Sequence, residues 1–459
     1  MTNETICAIS TAPGVGGIAV IRVSGKEAIP LCDRIFQPRK AGKSLALQPA
    51  YSLTYGTIVE KGEAVDDVMM ALFRAPHSFT GEDTVEITCH GSVYIQQRIL
   101  QLLVATGCRL AKPGEFTQRA FMNGKMDLSQ AEADLIASTS AGQHRLALSQ
   151  MRGGFSQELK ELRAKLLHIT SLMELELDFA DHEELEFADR SELKELAVQI
   201  EQVISHLVHS FKVGNAIKNG IPVAIIGETN AGKSTLLNAL LNEEKAIVSD
   251  IHGTTRDVIE DTMYIHGLQF RFIDTAGIRD THDTIENLGI ERTFQKLEQA
   301  DIVLWVIDLS EASQQITQLS GKILPLCQDK QLILVLNKSD MAENIPIDLS
   351  GFPKQTKTIP ISAKQKQGIN ELQSMLVESA QIPALSQNDV VVSNVRHYEA
   401  LSHALDAIHR VQDGLNNDLS GDFISQDLRE CIFHLSDIVG DVTTDEVLGN
   451  IFKHFCIGK

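Results

Sequence analysis

The sequence predicts a multidomain protein of α/β and α+β class: an N-terminal α+β domain, then a discontinuous helical domain into which an α/β domain is inserted. Three observations carry that prediction. Short β-rich runs broken by turns fill the first 120 residues, apolar residues at three- and four-residue spacing mark helices from about Thr117 to Val213 and again after Pro383, and strand-then-helix alternation occupies the stretch between. At about 150 residues per domain, 459 residues make room for roughly three domains.

In the first segment Gly17 to Gly25, Val65 to Phe73 and Thr84 to His90 read as strands, and Ser92 to Thr106 as a helix with Gly107 at its C-terminal stop. In the second, Leu159, Leu162, Leu166, Ile169 and Met173 form one helical stripe that no proline interrupts. The acidic run Glu174 to Phe187 is dense enough for metal ligands, but a solvated helix face or a helix break is the better reading. In the third, Pro222 to Ile226, Phe270 to Ile273, Ile302 to Ile307 and Gln331 to Leu336 are short apolar runs fit for buried parallel strands. Helical periodicity returns in Ser393 to Arg410 and Leu428 to Ile438. The expected segments are 1–118, 119–217, 218–382 and 383–459.

A hydrophobic content of 43% supports sizeable cores and excludes a disordered chain. No stretch approaches the roughly 18 apolar residues of a membrane span, and the N-terminus lacks a signal peptide's basic start and apolar run, so a soluble cytoplasmic protein with no membrane role is expected. The 41 basic and 61 acidic side chains leave a net charge of -20. Residues 1–120 hold 12 basic and 11 acidic groups, 121–220 hold 10 and 16, 221–380 hold 14 and 22, and 381–459 hold 5 and 12. No segment is basic enough to grip phosphates by counterion release, so work on RNA would need a partner to supply much of the grip. The seven cysteines, at 7, 32, 89, 108, 327, 431 and 456, are scattered without a C-x-x-C pair, which reads as buried small side chains rather than disulfides or a zinc site. His77 and His90, each alone, read as structural or exposed.

Gly227-Glu-Thr-Asn-Ala-Gly-Lys-Ser234 matches G-x-x-x-x-G-K-[ST], follows a strand and opens a helix at Thr235. Its glycines let the loop curl backbone N–H groups toward phosphates; Lys233 can reach the β- and γ-phosphates and the Ser234 hydroxyl can ligate Mg²⁺. Candidate contacts in the loop are Asn230, Ala231, Gly232, Lys233, Ser234 and Thr235. Downstream, Gly253-Thr-Thr-Arg256 offers Thr255 to sense the γ-phosphate and close the Mg²⁺ shell, and Asp274-Thr-Ala-Gly277 offers Asp274 for Mg²⁺ through water and the Gly277 N–H for the γ-phosphate. Asn337-Lys-Ser-Asp340 follows another strand; its Asp340 carboxylate can accept both hydrogen bonds from guanine N1–H and the 2-amino group, a donor pair adenine lacks. Asn337, Lys338 and Asp340, with Ser362, Ala363 and Lys364, make the base pocket, and GTP is the expected ligand. Ile278 stands where a Ras-like protein has the glutamine that orients water, so another group must do so. The segment Arg279 to Glu291 is the first place to look for a carboxylate.

With these motifs, Pro76-His-Ser-Phe-Thr-Gly-Glu-Asp83, Lys112-Pro-Gly-Glu-Phe-Thr-Gln-Arg-Ala-Phe121, Asn123-Gly-Lys-Met-Asp-Leu-Ser-Gln-Ala-Glu132 and Cys456-Ile-Gly-Lys459 make the whole chain resemble the MnmE (TrmE) family of tRNA modification GTPases, within the TrmE-Era-EngA-like group. The resemblance implies an N-terminal domain that binds a tetrahydrofolate derivative (5-formyl- or 5,10-methylene-tetrahydrofolate) and dimerises, a helical domain, and an inserted Ras-like P-loop GTPase domain. It implies a homodimer that works with the flavoprotein MnmG, in a heterotetramer or larger complex, to add aminomethyl or carboxymethylaminomethyl groups at C5 of tRNA wobble uridines; the FAD belongs to that partner. By the same matching the folate contacts are Arg22, Glu82, Lys125 and Lys459, a set whose basic groups suit tail carboxylates and whose carboxylate suits pterin donors.

The family also implies a K⁺ ion in place of an arginine finger, held as two G domains meet, with Asn230, Ser249, Ile251 and Thr254 as its ligands and the rest of the stretch, Asp250, His252 and Gly253, beside the nucleotide. Thr275 and Ala276 complete the second switch motif, and Glu286 is implied as the catalytic carboxylate that orients water. Cys456, near Lys453, His454 and Lys459, could be a nucleophile, though packing or support is the heavier reading. Two other readings stand beside this one: a GTP-dependent ribosome-assembly factor, whose basic RNA-binding domain the segment charges do not supply, and a folate-sensing switch.

Overall fold

The structure, a computed structural model, describes residues 4–40, 44–133, 136, 138–178, 190–242, 261–273, 297–341, 351–382, 390–441, 448 and 452. The chain divides into two compact units. One comprises Met1–Ala133, Met151–Leu193 and Arg410–Lys459, and the other Asp134–Gln150 and Lys194–His409.

In chain order the first unit begins with β1 (Ile6–Ile9), β2 (Ile18–Ser24), α1 (Ala28–Asp33), β3 (Phe36–Pro38), β4 (Ser52–Glu60), β5 (Glu63–Phe73), β6 (Thr84–His90), α2 (Val93–Thr106), β7 (Arg109–Leu110), α3 (Glu115–Met122) and α4 (Leu128–Ala131). Its seven strands pair in the order β3-β4-β5-β6-β2-β1-β7. All pairs are antiparallel except β1 with β7. Alternation puts Ile21, Val23, Met70, Leu72, Val85 and Ile87 on one face, where they close a core with Ile99 and Leu103 of α2. Arg22 and Glu86, opposite each other in register, point to the other face. The α2 stop is the one expected: Gly107 is left-handed and its N–H and that of Cys108 return to the last carbonyls. The β4–β5 hairpin turns on Lys61 and Gly62, both at positive φ, the geometry of a two-residue turn that matches strand twist.

The helices α5 (Ala141–Met151), α6 (Gly154–Asp178) and α7 (Arg190–Asn219) follow. The stripe Leu159, Leu162, Leu166, Ile169 and Met173 is buried along α6, at about 1.5–3 kcal/mol for each side chain removed from water. Of the acidic run, residues to Asp178 lie in α6 and 179–187 fall outside the described residues.

The second unit holds β8 (Ile221–Ile226), α8 (Lys233–Asn242), β9 (Asp261–Ile265), β10 (Leu268–Phe272), β11 (Ile302–Asp308), α9 (Ala312–Ile323), β12 (Gln331–Asn337), β13 (Lys357–Pro360) and α10 (Ile369–Ser379). Its sheet runs β13-β12-β11-β8-β10-β9, parallel except for the edge strand β9. Both faces are covered, which is why β8, β11 and β12 read as unbroken apolar runs. Val223, Ile225, Leu304 and Val335 pack with Leu236, Leu240, Leu372 and Leu376, while Ala224, Trp305 and Leu334 pack with Ala312 and Ile316. Next along the chain come α11 (Val395–Asn416), which belongs to the second unit as far as His409, and α12 (Gly421–Val439); within the first unit α12 packs on α6, with Arg163 donating to Ser436 Oγ at 3.2 Å.

Candidate functional site

The phosphate-loop residues leave the carboxyl end of β8, and the turns carrying Asp308, Asn337 and Ser362 leave the ends of β11, β12 and β13 on the same side of the sheet. A parallel sheet collects its ligand-facing loops at that edge. The loop curls as its glycines allow. Gly227 has φ +146 and Gly232 φ +98; a Cβ at the first would strike the Val306 carbonyl and at the second the Asn337 amide. Asn230 is left-handed at φ 66, a conformation Asn tolerates better than most residues. Lys233 opens α8 and donates from Nζ to the carbonyls of Gly227 and Glu228, both at 2.8 Å, so its ammonium lies within the curl. Ser234 and Thr235 occupy the first turn, where the N–H groups of a helix N-terminus and the helix dipole favour an anion. This cradle fits a triphosphate, and the half-buried Ser234 hydroxyl is the ligand it would give to Mg²⁺.

The turns expected to read the base are fastened to that loop by one buried side chain. Asn337, 3% exposed, donates from Nδ2 to the Ala231 carbonyl at 2.8 Å and accepts from the Ala363 N–H at 3.0 Å. Ser339 N–H bonds to the Ile361 carbonyl, and Ser362 exchanges backbone bonds with Gln367. Lys364 is exposed, and Asp340 is exposed with Oδ2 accepting from Gln365 at 3.3 Å. The structure therefore brings together Asn230 through Thr235, Asn337, Lys338, Asp340, Ser362, Ala363 and Lys364. Ser249, Asp250, Ile251, His252, Gly253, Thr254, Thr255, Asp274, Thr275, Ala276, Gly277, Ile278 and Glu286 lie outside the described residues.

A residue that sequence reading missed sits beside this pocket. Asp308 ends β11 in register with Asn337, and its Oδ2 accepts from Lys338 Nζ at 2.6 Å. Burial pushes the Asp308 carboxyl up, but Lys338 and the hydroxyl and N–H of Ser310 outweigh it and hold the group below its ordinary value. The only hint in sequence is an acid closing the apolar run Ile302 to Ile307.

In the first unit Arg22, Glu82 and Lys125 gather around the loop 76–83. The Arg22 guanidinium lies 5.2 Å from the Phe79 ring centroid and 5.7 Å from that of Phe116, and donates from Nε to Glu86 at 2.9 Å. Glu82 accepts from Ser24 at 2.8 Å and from Arg119 at 3.1 and 3.2 Å. Lys125 donates to the Pro76 carbonyl at 2.9 Å. Arg119 and Glu115 were missed as partners of this set; Arg119 links Glu82 to Glu115, which Arg109 also holds at 2.6 Å. Lys459 and Cys456 lie outside the described residues. The other six cysteines are free and buried, and burial pushes Cys89 and Cys327 up to about 11 and Cys431 up to about 12, so these thiols pack rather than react. His90 pairs with Asp66 at 2.7 Å. Among the described residues no group of His, Cys, Asp or Glu is placed to hold a metal, and no helix is long and apolar enough to cross a membrane.

Comparison with known proteins gives two family models in tandem. One, the GTP-binding protein TrmE N-terminus, matches residues 5–125, and the other, the MnmE helical domain, matches residues 128–456. The chain belongs to the MnmE family. Relatives named tRNA modification GTPase MnmE include one from Parabacteroides distasonis, 71% identical over 460 residues, covering 99% of this chain and 100% of its own. Another, from Bacteroides thetaiotaomicron, is 68% identical and is covered in full, as is this chain. Among solved structures, Era in complex with MgGDPNP and nucleotides of 16S ribosomal RNA matches 40% of this MnmE-family chain and 66% of its own, at 30% identity and TM-score 0.27.

Proposed function

We propose that this MnmE-family chain hydrolyses GTP to drive a complex that modifies C5 of the wobble uridine in tRNA, adding an aminomethyl or carboxymethylaminomethyl group. The chain is a tRNA modification GTPase, and GTP with Mg²⁺ is its nucleotide ligand. The observation that carries the reading is the pair of hydrogen bonds made by the Asn337 amide, donated to Ala231 and accepted from Ala363, which makes the phosphate cradle and the guanine-reading turns one unit. The finer assignment is a cytoplasmic homodimer acting with the flavoprotein MnmG. Residues 1–118 bind tetrahydrofolate and dimerise, 119–217 with 383–459 form the helical domain, and 218–382 form the G domain.

Within this reading Lys233 and the loop N–H groups hold the phosphates, while Ser234, with Thr255, would hold Mg²⁺, which offsets phosphate charge when bound. Asn230, Ser249, Ile251 and Thr254 bind K⁺ as paired G domains close, and Glu286 orients water where Ile278 cannot. Arg22, Glu82, Lys125 and Lys459 bind the folate; the clustering of the first three around one loop supports this, with Arg119 holding the Glu82 carboxylate in place.

The test is GTP turnover of the full chain in K⁺ and in Na⁺. K⁺-specific turnover that Glu286→Ala lowers by roughly 100-fold or more while GTP binding survives is expected for loss of a water-positioning group. Equal rates in the two salts would overturn the cation assignment.

A further inference from the structure

Lys338 is the second residue of the guanine-reading turn and its backbone is left-handed at φ 63, a conformation in which a lysine is held against its own preference. What holds the side chain is a divided carboxylate. Asp308 Oδ1 caps the short 3₁₀ turn after β11, accepting from the Ser310 N–H at 3.1 Å and the Ser310 hydroxyl at 2.7 Å. That leaves Oδ2 facing Lys338 Nζ at 2.6 Å. The Asp308 side chain is 12% exposed and that of Lys338 34%, so the pair sits where water screens it less than on an open surface. Strand register fixes the meeting: Asp308 pairs with Asn337, the residue before Lys338, at the last rung of β11 and β12.

We propose that Asp308 is a positioning residue for guanine nucleotide binding, holding the Lys338 stem along the wall of the base pocket whose edge Asp340 reads. The inference rests on the guanine pocket assigned above. Ser310 locks the rotamer of the carboxylate, and the carboxylate locks the lysine, so the pocket wall is pre-formed before nucleotide arrives. Pre-organisation of this kind lowers the entropy lost on binding and so tightens it. Phosphate chemistry lies elsewhere, at Lys233 and Ser234, so the effect falls on affinity rather than turnover.

The experiment measures binding of a fluorescent GDP analogue, and KM and kcat for GTP, in the full chain carrying Asp308→Asn, Lys338→Met or both. Asp308→Asn keeps an oxygen for the Ser310 cap and removes the charge opposite Lys338. It should weaken GDP binding roughly 10- to 100-fold and raise KM, with kcat within about twofold, as expected for loss of one charge-assisted hydrogen bond. Combined with Lys338→Met it should add nothing, because Asp308 acts through the lysine. Wild-type affinity in Asp308→Asn, or losses that multiply in the double variant, would overturn the assignment. If Asp308→Asn does not fold, Asp308→Ser, which also retains a cap for the turn, is read in the same way. Asp340→Ala runs alongside. If it binds GDP normally the guanine pocket itself is misassigned, whereas loss in Asp340→Ala with none in Asp308→Asn removes only the role of Asp308.

Discussion

Asn337 donates to the Ala231 carbonyl at 2.8 Å, so a residue at the end of β12 clamps the phosphate loop 106 positions earlier in the chain. Its other amide atom accepts from Ala363, and the side chain is buried. Asn337→Ala leaves a buried carbonyl and a buried N–H without partners, at about 1–3 kcal/mol of stability. Asn337→Asp keeps the bond from Ala363 but sets a carboxylate oxygen against the Ala231 carbonyl. Thermal unfolding should therefore fall in both variants, and GTP affinity should fall further than in a destabilised variant of the N-terminal sheet. Affinity unchanged in Asn337→Asp would show that the clamp does not shape the loop.

The two glycines at 232 and 267 separate strain from function. Both have positive φ, +98 and +82, but a Cβ at Gly232 meets the Asn337 amide whereas one at Gly267 meets nothing within 4 Å. Gly267→Ala should lose about 1 kcal/mol from the β9–β10 turn and leave GTP binding as it was. Gly232→Ala pays the same strain and also displaces Asn337, so GTP affinity should drop at least about tenfold. Calorimetric titration of both variants with GDP checks the contrast.

The parts of the fold legible in sequence are those where one physical signal dominates. Strands β8, β11 and β12 are covered on both faces and read as apolar runs, and the α6 stripe repeats with the helix turn. Strand β4 was missed because its alternation is inverted: Thr54 and Gly56 face inward while Leu53 and Tyr55 are exposed. The reason is local, since the Phe36 ring of β3 fills the space beside Gly56 and a Cβ there would collide with it. Strand β9 was missed as a short, half-buried edge strand whose hairpin turn carries His266 at φ 48 in place of a favoured Asn or Gly. At the sites, contiguous motifs were readable, but Asp308 with Lys338 and Arg119 with Glu82 are 30 and 37 residues apart, and no spacing rule announces such pairs.

The Arg109–Glu115–Arg119–Glu82 chain makes the N-terminal domain acid-sensitive in a defined window. Burial pushes the Glu115 carboxyl up, but Arg109, the Lys112 N–H and Arg119 outweigh it and hold the group below its ordinary 4.5. A depressed carboxyl contributes stability that is whole above the unfolded value and is lost as pH falls through the folded one. At pH 7 Glu115→Gln should therefore be less stable than the native chain by about 3 kcal/mol, the cost of breaking a buried pair. As pH falls below the ordinary carboxylate value toward the lower folded one, the gap should narrow as the native carboxyl protonates. Thermal unfolding of both proteins from pH 7 to pH 3 measures this, and a gap that does not narrow would mean that Glu115 contributes packing rather than charge.

Asp340 offers the sharpest test of the base pocket because its chemistry can be exchanged rather than removed. It is exposed, and Oδ2 is within 3.3 Å of the Gln365 amide, so the carboxylate is oriented at the pocket rim without being buried. A carboxylate presents two acceptors, which match guanine N1–H and the 2-amino group. Asn presents one acceptor and one donor, which match xanthine, where N1–H remains and a carbonyl replaces the amino group. Asp340→Asn should thus lose GDP affinity and gain XDP affinity, each by roughly 100-fold or more, since a site built for one hydrogen-bond pattern leaves its groups unpaired with the other. Competition of GDP and XDP against a fluorescent nucleotide reads both numbers at once. A uniform loss of both ligands would instead mean that Asp340 supports the turn without reading the base, and that the specificity lies with the Ala363 and Lys364 end of the pocket.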